Sequence, residues 1–118
     1  MNIKLGHIEL FVQNPLKSMH FYCDVLGFQL VDNQNDQFIW VKSGEIEILL
    51  RPGKSPQKKQ NYSDSSMGLV LYTSNLTQTV NRLKELGITN WGQDGTINCP
   101  TFTDMDGHWF QLVDPNNH

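Results

Sequence analysis

One pattern occurs twice in this chain. Ile8-Glu9-Leu10, Asn14 and Val25-Leu26-Gly27-Phe28 return as Leu69-Val70-Leu71, Asn75 and Glu85-Leu86-Gly87-Ile88, about 60 positions later. A half-chain of that length buries too small a share of its surface to be stable alone. Two such halves are expected to share a core, with a small-molecule site at their seam.

The elements of each half follow from local signals. Residues 3–12 alternate and predict a strand. Asn14-Pro15 is a helix start, with Asn as cap and Pro at the first helical position. That helix runs to about Leu26, where Gly27 is a natural terminator. Strands over 28–32, 37–42 and 45–51 complete the half. Residues 52–66, rich in Pro, Gly, Ser, Lys and Gln, predict a linker. The second half repeats the order: a strand over 67–73, a helix capped by Asn75 and ended by Gly87, and a short strand over 88–91. A strand over 96–103 follows, bulged or at an edge because of Pro100, then a tight turn over 104–107 and a last strand over 108–113. The expected fold class is α+β: two tandem βαβββ modules, 1–51 and 67–118, forming curled mixed sheets around a shared cleft, all within one domain of 118 residues.

Side-chain alternation then sorts the strand faces. If Ile8, Leu10 and Val12 pack under the first helix, His7, Glu9 and Phe11 face the other way. Ile46, Ile48 and Leu50 likewise send Glu47 to the uncovered face. In the second half, Gly68, Val70 and Tyr72 oppose Leu69 and Leu71, while Trp109, Gln111 and Val113 oppose Phe110 and Leu112. The expected site has His7, Glu47 and Gln111 as polar ligand-binding groups and Phe11, Phe38, Trp40, Tyr72 and Trp109 as its wall. An imidazole, a carboxylate and an amide oxygen also suit a divalent ion. The plainer readings are that His7 bonds a neighbour, that His7 and Glu47 simply pair, and that Asp104 and Asp106 cap a turn.

Charge removes other classes. Nine Lys+Arg against 12 Asp+Glu give a net charge of −3, which offers no nucleic-acid footprint. The one basic cluster, Arg51, Lys54, Lys58 and Lys59, lies in a polar stretch and reads as solvated loop. No apolar run is long enough to span a membrane, and no signal peptide is visible, so the expected location is the cytoplasm. Cys23 and Cys99 are unpatterned and suit a reducing compartment.

In these stretches the chain resembles the vicinal oxygen chelate superfamily, which includes glyoxalase I, bleomycin-resistance proteins, fosfomycin-resistance enzymes and extradiol dioxygenases. The matching pieces are Leu5-Gly6-His7-Ile8-Glu9-Leu10, Phe21-Tyr22 through Gly27-Phe28, Ile46-Glu47-Ile48-Leu49, Leu83 through Gly87, and Asp104-Met105-Asp106-Gly107 into Gln111-Leu112. The resemblance implies metal ligands at the positions of His7, Glu47, Gly68 and Gln111. Gly68 has no side chain to offer and Gln111 is neutral, so the ligand set is degenerate. It also implies a homodimer.

Two functions stay open on these grounds, with a closed, non-enzymatic interaction protein as a third. The first is a small-molecule binding protein of the bleomycin-resistance or antibiotic-resistance type, with no cofactor and a partly aromatic organic ligand. The alternative is a metal-dependent lyase, isomerase or transferase using His7, Glu47 and Gln111 with Zn, Ni, Mn or Fe, in which Glu47 is the catalytic carboxylate.

Overall fold

The computed structural model describes residues 1–95 and 99–116. These group into two compact units, Met1–Ser55 and Pro56–His118. The expected strand residues Thr96, Ile97 and Asn98 lie outside the described residues.

The first unit runs β1 (Ile8–Val12), α1 (Pro15–His20), β2 (Gln29–Gln34), β3 (Phe38–Ser43) and β4 (Ile46–Pro52). Asn14 Oδ1 accepts from Lys17 N at 3.1 Å, which satisfies one of the free amides at the start of α1. Past His20 the helix widens into a π-helical turn, Phe21–Val25, that buries Tyr22 completely. Gly27, at φ +79°, ends the element in the left-handed region that glycine enters without steric cost. The sheet order is β1-β4-β3-β2, with β1 parallel to β4 and the other pairs antiparallel. Helix α1 packs against β3 and β4. The core of this unit includes Leu10, Val12, Ile39, Val41, Ile48 and Leu50, all buried.

The second unit runs β5 (Gly68–Tyr72), α2 (Leu76–Glu85), β6 (Gly92–Asp94), β7 (Cys99–Thr103) and β8 (Trp109–Val113). Asn75 Oδ1 caps α2 by accepting from Gln78 N at 3.0 Å. The sheet order is β5-β8-β7-β6, again with one parallel pair, β5 with β8. Phe102 and Phe110 stack at 5.1 Å on its buried face, and Trp91 packs against Phe102 at 5.3 Å. The short strand expected at 88–91 falls instead at Gly92–Asp94, because the Trp91 indole donates to Ile88 O at 2.9 Å and folds that stretch locally.

The two mixed sheets with flanking helices fit the α+β class. The expectation that they are curled around a shared cleft is corrected. Each is an open sheet of four strands, ending on β1 and β2 or on β5 and β6. Closing a sheet on itself takes about eight strands at the usual tilt.

Candidate functional site

Three groups of polar side chains stand out, each built within one unit. The first lies on the face of the first sheet opposite α1. The registers Glu9↔Leu49, Phe11↔Arg51 and Trp40↔Leu49 put Glu9, Phe11, Trp40 and Arg51 on that face. His7 and Glu47 each precede a paired residue, Ile8 and Ile48, so alternation places them beside each other. His7 Nε2 meets Glu9 Oε2 at 2.8 Å, and Glu9 Oε1 accepts from Arg51 Nη1 at 3.0 Å. The His7 ring is edge-on to Trp40, with centroids 4.6 Å apart. The Arg51 guanidinium lies over both Phe11 and Phe38, at 5.1 and 5.2 Å. The hydrogen bond from His7, and then that from Arg51, holds the Glu9 carboxyl below its ordinary range. Glu47 is exposed, so its carboxylate carries no burial penalty.

The second group lies on the face of the second sheet opposite Phe110 and Leu112. Register pairs Gly68 with Trp109, Val70 with Gln111 and Tyr72 with Val113. Trp109 and Gln111 are buried, whereas Tyr72 is 74% exposed. A 3-10 turn, Tyr62–Asp64, lies against β8 and β6. Ser65 fixes it, with its hydroxyl donating to Tyr62 O at 2.7 Å. A Cβ on Gly68 would fall inside the Tyr62 phenol, so that ring fills the place of a side chain at 68. The same ring meets Trp109 edge-on at 6.2 Å. Trp109 Nε1 is buried with no hydrogen-bond partner among the described residues. The donor set implied at Gly68 and Gln111 therefore fits a metal poorly: one position is filled by a phenol and the other holds a neutral amide.

The third group is the turn between β7 and β8. Asp104 Oδ1 accepts from Asp106 N and His108 N, both at 2.9 Å, and Asp104 Oδ2 meets His108 Nδ1 at 2.8 Å. Asp104 is 5% exposed and Asp106 3%. One ligand atom from each of Asp104, Asp106 and His108 lies within 4.8 Å of the others. Two carboxylates and an imidazole fit a hard or borderline divalent ion.

The structure thus places the expected site residues in two sets. His7, Glu47, Phe11, Phe38 and Trp40 share one face of the first sheet; Tyr72, Trp109 and Gln111 share one face of the second. Asp104 does cap the turn, as sequence alone predicts. What sequence reasoning missed is His108 joining Asp104 and Asp106, although aspartate, aspartate and histidine alternate through 104–108. It also missed Tyr62, signalled only by a glycine in a strand, which marks a close approach of another group.

The model of the Glyoxalase/Bleomycin resistance protein/Dioxygenase superfamily matches residues 4–112, and the chain belongs to that superfamily. It is 30% identical to the metallothiol transferase FosB of Staphylococcus haemolyticus, over 92% of this chain and 81% of that protein. Among solved structures it resembles the fosfomycin resistance protein FosX from Listeria monocytogenes complexed with Mn(II) and sulfate. The TM-score there is 0.79 at 18% identity, covering 97% of this chain and 91% of that one. It also resembles TnmS3, an antibiotic binding protein from Streptomyces, with a TM-score of 0.68 at 22% identity, covering 97% and 99%. The expectation of no cofactor is corrected by two findings. The described residues hold a buried donor set able to take a metal ion, and a protein of this fold carries Mn(II). No helix among the described residues is long and apolar enough to cross a membrane.

Proposed function

We propose that this chain is a metal-dependent enzyme acting on a small, partly aromatic organic molecule, as a lyase, isomerase or transferase. The observation that carries the reading is the buried Asp104–Asp106–His108 cluster. The FosB relative, named a metallothiol transferase, favours the transferase arm. This displaces the binding protein without a metal site as the leading function.

In this reading Asp104, Asp106 and His108 hold the ion. Bound there, it would supply Lewis acidity toward a substrate oxygen. Asp104 Oδ1 is fixed by the amides of Asp106 and His108. His7, Phe11, Phe38 and Trp40 offer ligand contacts on the first sheet, where Glu47 is the candidate catalytic carboxylate; Gln111, Tyr72 and Trp109 offer them on the second. The reading includes a homodimer, supported by the exposed apolar side chains of Leu5, Phe11, Val70 and Tyr72. It also includes a cytoplasmic location, with which the thiols of Cys23 and Cys99 agree.

Native mass spectrometry of protein purified without chelator tests the assignment. The expected result is about one ion per chain, held by three protein ligands with a position left open, lost in Asp106→Asn and in His108→Ala. Metal-free wild-type protein would overturn it. So would metal that survives both changes but disappears in His7→Ala and Glu47→Gln, which would return the ion to the first sheet.

A further inference from the structure

Composition reads Lys58 and Lys59 as solvated loop, yet the fold brings both against the turn that follows β7. They line a hollow of about 100 Å³ together with Asn90, Thr103, Asp104 and Gly107. Lys58 is placed by its stem: a Cβ on Gly107 would meet Lys58 Cγ at 3.5 Å. Neither lysine has a carboxylate partner among the described residues. Asp104 meets this wall with both carboxylate oxygens already hydrogen-bonded. Its Oδ1 already accepts from two amides, and its Oδ2 is paired with His108. Asn90 Nδ2 donates to Thr103 Oγ1 at 3.5 Å, which leaves the threonine proton free to donate.

Two ammonium groups without carboxylate partners, a hydroxyl donor and a small volume define the chemistry. A drug-sized ligand needs roughly 300 Å³ or more, so this hollow takes a head group and not a whole molecule. We propose that it is an oxyanion subsite, binding the phosphate, phosphonate or sulfate group of a small molecule through Lys58, Lys59 and Thr103. Charge-assisted hydrogen bonds from lysine to such oxygens are the strong kind. The site deepens the proposed function by giving its substrate an anionic group, and it rests on that reading only there; oxyanion binding itself requires no metal.

The test therefore uses the full chain after chelator treatment. Inorganic phosphate is titrated while amide chemical shifts are followed by NMR. Saturable shifts are expected at Thr103 and Gly107, with affinity falling about tenfold or more in the double variant Lys58→Ala/Lys59→Ala and less in Thr103→Val. Lys54→Ala, outside the hollow, should leave it unchanged. Glycerol 3-phosphate should compete with phosphate. No saturation, or the same affinity in the double lysine variant, would overturn the subsite. Binding seen only with vesicles containing phosphatidic acid would overturn its assignment to a small molecule. Because no metal is present, failure here is distinct from failure of the metal reading.

Discussion

Glu9 is the residue on which the first sheet's polar chain turns. It bonds His7 through one oxygen and Arg51 through the other, and its folded carboxyl titrates below the ordinary glutamate value. A carboxylate lowered in this way adds stability that is complete above about pH 4.3, its unfolded range. That stability is lost as the pH falls below this range, through the folded value. Thermal melts taken downward from neutral pH should show wild type losing more than Glu9→Gln, the two converging in acid. Equal losses at every pH would mean that the chain of contacts contributes nothing. Gly68 gives a second expectation at this scale. Gly68→Ala must displace the Tyr62 ring, at a cost of about 1 kcal/mol or more. The double variant Tyr62→Ala/Gly68→Ala should show a coupling of about 0.5 kcal/mol or more in a denaturation cycle. Strict additivity would separate the two positions. Alternation along the strands made His7, Glu9, Phe11 and Glu47 legible as one face. The Glu9–Arg51 bond was not legible, because pairing across strands 42 residues apart depends on register, which sequence does not carry.

Among the elements, the two helices are the parts most openly written in the chain. Asn14 and Asn75 cap them as their positions dictate, and Gly27 and Gly87 close them at positive φ. Asn75→Ala should lower stability by about 1 kcal/mol in chemical denaturation, while Asn75→Ser should restore most of it. An unchanged midpoint in the alanine variant would remove the cap from the argument. The stretch between β4 and β5 was the least legible. Pro, Ser and Lys there say only that no long helix or strand forms. The turn at Tyr62–Asp64 and the seating of Lys58 on Gly107 are both set by distant partners. The metal-capable turn was half legible: Asp104 was evident as a cap, but an i to i+4 imidazole bond needs the turn's actual path.

At the scale of the whole molecule, both sheets share one ordering rule. In each, the last strand lies parallel to the first, β4 beside β1 and β8 beside β5, and the middle strands extend outward from it. Chains leave the ribosome from the N-terminus at about 5–20 residues per second. The first sheet can assemble its full set of hydrogen bonds as soon as Pro52 has emerged, while β5 keeps an unsatisfied edge until Val113 is released. Truncated nascent chains ending before Trp109 should thus leave Gly68–Tyr72 open to proteolysis and to capture by chaperones.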